Sequence, residues 1–186
     1  MHLYIKNMVC NRCINVVEQE LQKLQIGSCK VTLGEVETSE VLPKEKIEQL
    51  EKNLQVYGFE LLDNSKQQLI EKIKNIIIQQ VHYKQDGNNL NFSDILSKSL
   101  HKDYSYLSSL FSEVEGITIE KYLINQKIEK VKELIIYDEL SLSEIAYQLG
   151  YSSIAHLSSQ FKKVTGLTPT HFKKVGQNKR KPLDGI

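Results

Sequence analysis

The apolar positions of residues 1–63 predict six short elements, because their spacing changes repeatedly along the chain. A spacing of two residues is typical of a strand, and a spacing of three or four is typical of a helix. The strand positions are Leu3 and Ile5, then Cys29, Val31 and Leu33, then Val36 and Thr38, and finally Phe59 and Leu61. The helix positions are Ile14, Val17, Leu21 and Leu24, and later Ile47, Leu50, Leu54 and Tyr57. The predicted order is βαββαβ.

This order is that of the ferredoxin-like split βαβ arrangement. Gly34 can form the turn between the second and third strands, because glycine accepts a positive φ. Pro43 suits the first turn of the second helix, and Gly58 ends that helix. We therefore predict an α+β, ferredoxin-like domain over residues 1–63, a length near the minimum for an independent core.

Part of the remaining chain occurs twice. The segments Leu107–Tyr122 and Leu157–Phe172 align without a gap at an offset of 50 residues and share Leu, Ser, Ser, Phe, Val, Gly and Thr. The same offset places Ser93, Asp94 and Ile95 on Ser143, Glu144 and Ile145. We call residues 91–122 copy one and residues 141–172 copy two. An ungapped duplication indicates one supersecondary unit used twice.

Each copy has the pattern of two short helices joined by a tight turn. In copy two, Ser141 and Glu144 form a capping-box pattern, Gly150 allows the turn, and Ser152 or Ser153 caps the second helix. Gly166 ends that helix. The corresponding signals in copy one are Asn91, Asp94, Asp103 and Gly116. Two short helices with such a turn form a helix-turn-helix unit, whose second helix commonly enters the major groove of DNA.

Three further segments complete the predicted organisation. Apolar spacing from Leu69 to Val81 predicts a helix before copy one, and a long helix from Thr118 to Asp138 joins the two copies. Residues 64–175 are thus predicted to form an all-α domain, and residues 176–186 a basic tail containing Lys179, Arg180 and Lys181. Most such basic runs are solvated, although this one can also touch phosphates.

Copy two resembles a known family of DNA-binding domains. The pattern I-A-x-x-L-G-Y-S-S at Ile145–Ser153, followed by F-K-K-V-T-G-L-T-P-x-x-F at Phe161–Phe172, is similar to the second half of an AraC/XylS-type domain. The resemblance covers about residues 66–175. It implies two helix-turn-helix units joined by one long helix, binding to double-stranded DNA, transcription regulation and a contact with RNA polymerase.

The candidate DNA-contacting residues lie opposite the apolar stripe of each second helix. Gln160 can pair with adenine and Lys163 can reach guanine or a phosphate. The short, uncharged serines of copy one suit positioning on the backbone more than base reading, or are only a soluble helix face. The full set is Ser153, His156, Ser159, Gln160, Lys162 and Lys163 in copy two, and Ser105, Ser108, Ser109 and Ser112 in copy one.

A cysteine pair lies between the first predicted strand and helix. The pattern M-x-C-x-x-C at Met8–Cys13 resembles the heavy-metal-associated domain, although Asn7 stands where that family usually has glycine. Two thiols one turn apart at a helix N-terminus should have lowered pKa values and can hold a soft ion. Cu(I) fits Cys10 and Cys13 better than Zn²⁺, which takes four ligands. The alternatives are a redox pair, or a cap and a packing residue.

Charge and composition restrict the class of protein. The formal net charge is +1, yet residues 1–63 carry seven basic and ten acidic side chains, whereas residues 140–186 carry seven basic and two acidic ones. A basic C-terminal part fits nucleic-acid binding at that end. The apolar runs predict no membrane span, and three cysteines suit reduced thiols in a cytoplasmic protein. The five histidines are scattered, and no catalytic constellation is apparent, so we expect no enzyme activity.

The sequence therefore predicts a cytoplasmic, sequence-specific transcription regulator that responds to a soft metal through Cys10 and Cys13. The main alternative is a metal-binding or protein-interaction module whose helix-turn-helix pair no longer binds DNA specifically. The serine-rich, partly acidic copy one favours that alternative, and the Lys162–Lys163 and Lys173–Lys174 pairs count against it.

Overall fold

A computed structural model of the protein describes residues 1–27, 29–62, 65–83 and 91–175. They belong to two compact units, which divide between Asn75 and Ile76. This division lies further along the chain than the boundary at residues 63/64 that the polar break predicted. The basic tail predicted for residues 176–186 lies outside the described residues.

The first unit contains a four-stranded sheet and two helices between its strands. Its elements are β1 (His2–Lys6), α1 (Asn11–Lys23), β2 (Cys29–Thr32), β3 (Glu35–Thr38), α2 (Lys44–Gln55) and β4 (Glu60–Leu62). The strand order is β2-β3-β1-β4, and all three neighbouring pairs are antiparallel. Apolar side chains from the sheet and both helices form the core, including Ile5, Val17, Leu21, Val36, Leu50 and Leu54.

Most of α3 (Ser65–Ile78) also belongs to this unit. Its Gln68 amide donates to the Leu62 carbonyl over 3.0 Å, and Asn75 Nδ2 donates to the Leu33 carbonyl over 3.2 Å. Asn75 also explains the glycine of the β2–β3 turn. Gly34 has φ +78°, and a Cβ added there would lie 2.0 Å from Asn75 Nδ2. Contacts of this kind place the division of the units inside α3.

A buried carboxylate connects α1 with the end of α2. Glu20 accepts hydrogen bonds from Lys23 Nζ at 2.6 Å, from Asn53 Nδ2 at 3.0 Å and from Tyr57 Oη at 3.2 Å. Tyr57 was predicted on the buried face of α2, but it lies beyond the last residue of that helix and is half exposed. The hydrogen bond from Lys23 is the main cause that lowers the pKa of Glu20, and Tyr57 and Asn53 contribute.

Replacing Glu20 with glutamine should destabilise the protein in a pH-dependent way. Hydrogen bonds to a charged group contribute about 1.5–3 kcal/mol each, so we expect a loss of roughly 1–3 kcal/mol at pH 7. A lowered folded-state pKa adds stability above the unfolded-state pKa of about 4.3, and this stability is lost as the pH falls through the folded-state pKa. Urea denaturation at pH 7 and pH 3 measures the effect, with the exposed Glu18→Gln on the same helix as control. An equal loss at both pH values would contradict the charge-dependent account.

The second unit is helical. The last residues of α3 lead into a π-helical turn at Gln79–Tyr83. The helices that follow are α4 (Phe92–Leu100), α5 (Tyr104–Glu115), α6 (Ile119–Tyr137), α7 (Leu142–Gln148), α8 (Ile154–Thr165) and α9 (Pro169–Val175). The bounds of α5 and α8 differ by 50 residues at both ends, and so do the first residues of α6 and α9. The predicted pair of helix-turn-helix units joined by one long helix is confirmed.

The second helix of each copy is packed and ended by equivalent residues. An aromatic pair packs edge to face in each: Phe111 against Tyr122 with ring centroids 5.6 Å apart, and Phe161 against Phe172 at 5.5 Å. The glycines that end α5 and α8, Gly116 and Gly166, both have a positive φ. The copies differ at the last predicted apolar position, because Val114 is 44% exposed whereas Val164 packs partly into the core.

Local capping signals in this unit are also observed. Ser141 and Glu144 form the predicted capping box at the start of α7. Of the two serines considered for α8, Ser153 is the N-cap and accepts from the backbone N–H of His156 at 3.1 Å.

None of the helices in the described ranges is both long enough and apolar enough to cross a membrane.

Candidate nucleic-acid interface

The second helix of copy two presents a polar face opposite its core side. Leu157 and Phe161 are fully buried, and this anchors α8 against the rest of the unit. The predicted contact residues on the other side are exposed: Ser153, His156, Ser159, Lys162 and Lys163. Gln160 differs from them because it is half-buried, at the edge of this face.

Gln160 is held in place by Tyr151, the residue that follows the turn glycine. The buried Tyr151 donates its hydroxyl to Gln160 Oε1 over 2.7 Å. Burial raises the pKa of Tyr151, so the hydroxyl keeps its proton and remains a donor. The Tyr151 ring also meets the His156 ring edge to face at 5.4 Å, and His156 Nδ1 lies 3.1 Å from Ser152 Oγ. Two of the predicted contact residues therefore touch Tyr151, which the sequence did not single out.

The ring of Tyr151 is also covered by a lysine from the connecting helix. Lys127 Nζ in α6 lies 5.4 Å from the centroid of Tyr151 and 5.9 Å from that of Phe92, the first residue of α4. These distances are within the range of cation–π contacts. Burial lowers the pKa of Lys127. This lysine links the first helix of copy one with the turn of copy two, a role that helical periodicity did not reveal.

The face of copy one that was predicted to contact DNA carries more than short, uncharged serines. Ser105 and Ser109 are exposed, and Ser108 and Ser112 are half-buried. The same face also carries Tyr106, which is 49% exposed, with Lys102 Nζ 5.8 Å from its ring centroid. At the offset of 50 residues, Lys102 and Tyr106 occupy the positions of Ser152 and His156. The repeat itself could have identified this pair, which gives copy one a cation and an aromatic ring.

The net charge of copy two, +1, is more positive than that of copy one, −2. Lys162, Lys163 and Lys174 are exposed near the ends of α8 and α9, and Lys173 forms an ion pair with Asp138. In copy one, Ser112 and Glu113 stand at the positions of Lys162 and Lys163. An anionic backbone should therefore interact more strongly with copy two.

The cysteine pair of the first unit lies at the start of α1. Cys10 is the N-cap residue of α1, and its Sγ is 3.4 Å from that of Cys13. Both thiols are partly exposed. Asn7 adopts φ +70°, a conformation that asparagine tolerates better than most residues, and its amide donates to the Gly58 carbonyl at 2.9 Å. Asparagine thus fills a left-handed position for which glycine is the usual choice.

The expectation of lowered thiol pKa values is wrong for Cys13. Burial raises the pKa of Cys13, and this outweighs the lowering effect of the backbone hydrogen bonds from Val9 and Cys10. Within the described ranges, no three His, Cys, Asp or Glu side chains gather into a potential metal site. Cys29 lies in β2 with its Sγ 3.4 Å from the Gly27 carbonyl, and burial raises its pKa. A soft ion with two sulfur ligands matches this donor set better than one that needs four.

Comparisons with known proteins concern mainly the second unit. Residues 96–174 match the family model "Helix-turn-helix domain". The chain is 28% identical over 116 residues to the Msm operon regulatory protein of Streptococcus mutans, covering 62% of this chain and 40% of that protein. It is 37% identical over 71 residues to the Xylose operon regulatory protein of Escherichia coli, covering 38% of this chain and 18% of that protein.

A solved structure is also similar to this part of the chain. The C-terminal domain of AraT, a response regulator from Geobacillus stearothermophilus, matches with a TM-score of 0.50 and 25% identity, covering 61% of this chain and 91% of that chain. The second unit of the protein is thus a helix-turn-helix domain. The chain spans two fifths or less of the curated relatives described above.

Proposed function

We propose that the protein is a transcription regulator that binds double-stranded DNA in a sequence-specific manner through both copies. The observation that carries the proposal is the repetition of the helix-turn-helix unit, in which α5 and α8 have matching bounds and a single helix connects the two copies. Because α6 fixes the spacing of the copies, one chain can place α5 and α8 in successive major-groove segments, about 34 Å apart. The exposed lysines of copy two supply attraction to the phosphates.

The proposal predicts binding that depends on both sequence and salt. Specific sites commonly bind at least ~10³-fold more tightly than non-specific DNA. Fluorescence anisotropy with a selected duplex and a shuffled duplex of equal length, between 50 and 200 mM salt, measures both properties. Equal affinity for the two duplexes would refute sequence-specific regulation and favour a protein-interaction module.

A second function is favoured by the cysteine pair of the first unit. We propose that this unit has a ferredoxin-like arrangement and that Cys10 and Cys13 bind a soft ion such as Cu(I), which alters the DNA affinity of the chain. The order of elements, the antiparallel sheet and the 3.4 Å between the two Sγ atoms support this proposal. Thiolates are the ligands that select Cu(I), and binding would release their protons.

Substitution of either thiol is expected to abolish Cu(I) binding. Competition with a colorimetric Cu(I) chelator under reducing conditions should give one ion per chain for the unaltered protein and none for Cys10→Ser or Cys13→Ser. Cys29→Ser is the matched control and should retain binding. A stoichiometry of zero for the unaltered chain would contradict the proposal, and a disulfide formed under oxidant would then indicate a redox pair. Equal DNA affinity with and without bound Cu(I) would refute the coupling alone.

A further inference from the structure

We infer that Tyr151 is a positioning residue for base recognition by copy two. Its hydroxyl fixes the Gln160 amide at the edge of the DNA-facing side of α8, so that selectivity at one base pair depends on a buried side chain. The inference rests on the proposed DNA binding and adds to it a residue that governs specificity without touching a base.

The arrangement around Tyr151 leaves its ring little freedom. The ring is buried among the core residues of copy two, with Lys127 Nζ 5.4 Å from its centroid and the His156 ring meeting it edge to face. Its hydroxyl, at 2.7 Å from Gln160 Oε1, is therefore held at a fixed point beside α8. A donor held in this way restrains a side chain that would otherwise rotate about three bonds.

The restraint leaves the amide able to recognise a base. A carbonyl oxygen has two acceptor sites, so Oε1 can accept from Tyr151 and from a base together, while the Nε2 group remains a donor. Adenine offers a matching pair in the major groove, the N6 amino donor and the N7 acceptor. Ordering the amide before binding removes part of the entropic cost of the contact, which raises affinity and selectivity.

The matched change is Tyr151→Phe, which removes the hydroxyl and keeps the buried ring. Binding sites are selected from a random duplex pool with the unaltered chain, Tyr151→Phe, Gln160→Ala and the double variant. We expect a preference for adenine at one base pair in the unaltered chain. This preference should fall about tenfold in each single variant and no further in the double variant, because the two groups act as one unit. Tyr147→Phe, on a tyrosine that is 75% exposed in α7, is the control and should select the unaltered site.

The outcomes separate positioning from packing. If Gln160→Ala loses the preference and Tyr151→Phe keeps it, the hydroxyl only satisfies its own hydrogen bond, and the inference is wrong. A uniform loss of affinity at every position in Tyr151→Phe, together with a lower melting temperature, would also overturn it. If neither variant alters the site, Gln160 reads no base and the inference fails while the proposed function stands. If the unaltered chain selects no site, both fail.

Discussion

Replacing Phe161 with alanine is expected to lower the free energy of unfolding of the second unit by about 3–5 kcal/mol. Phe161 is fully buried in α8, and its ring packs edge to face against Phe172. The change removes both the buried apolar surface and the aromatic contact, and the remaining side chains can fill only part of the cavity. Because α8 carries the proposed contact residues, DNA affinity should fall with stability.

Urea denaturation followed by circular dichroism measures this loss. Phe111→Ala tests the equivalent position of copy one, where the ring packs against Tyr122, and a loss of similar size is expected. Val114→Ala is the control, since that apolar residue is 44% exposed and a change there should stay within about 0.5 kcal/mol. A loss for Phe161→Ala no larger than the loss for Val114→Ala would show that the aromatic pair does not hold α8 in place.

Replacing both Lys162 and Lys163 with alanine is expected to weaken DNA binding on every sequence. Both side chains are exposed in the last turn of α8. Each contact with a phosphate makes the slope of log affinity against log salt about 0.9 more negative. Loss of two contacts should therefore make the slope shallower by about 2. As the salt concentration rises from 50 to 200 mM, the difference in DNA affinity between the variant and the unaltered protein should shrink. The base preferences of the site should stay the same, because phosphate contacts carry no sequence information.

A control for this variant must change the net charge equally. Lys44→Ala with Lys52→Ala removes two exposed lysines from α2 in the first unit, and we expect no change in affinity or salt slope. If this pair weakened binding as much as the pair in α8, the effect would reflect net charge alone. An unchanged salt slope in the Lys162 and Lys163 variant would mean that this end of α8 does not approach the phosphates.

Local and repeated signals predicted most of the second unit. The ungapped offset of 50 residues placed both second helices, and the spacing of Ser141 and Glu144 identified the start of α7. Thr118 and Asp138 are the caps of the connecting helix, as the bounds of its apolar pattern indicated. The capping signals depend on residues within a few positions of each other, and the offset of 50 residues repeats such local signals, which is why a single sequence reveals them.

Features that depend on tertiary contacts were not predicted. The polar break before Ser65 suggested a domain boundary, but Asn75 bonds to the turn at Leu33 and extends the first unit into α3. A helix N-terminus lowers a thiol pKa, yet burial has the larger effect on Cys13. The hydrogen bond from Tyr151 to Gln160 joins a turn to the second turn of the next helix, and no periodicity encodes it.

Selection of bound duplexes from a random DNA pool tests the central proposal most directly. The full chain would be incubated with the pool under reducing conditions at physiological salt, and bound duplexes sequenced over several rounds. The double helix-turn-helix arrangement predicts a site with two conserved segments whose centres lie about 10 base pairs apart, one for each copy. A pool that remains random after selection would contradict sequence-specific DNA binding by this protein.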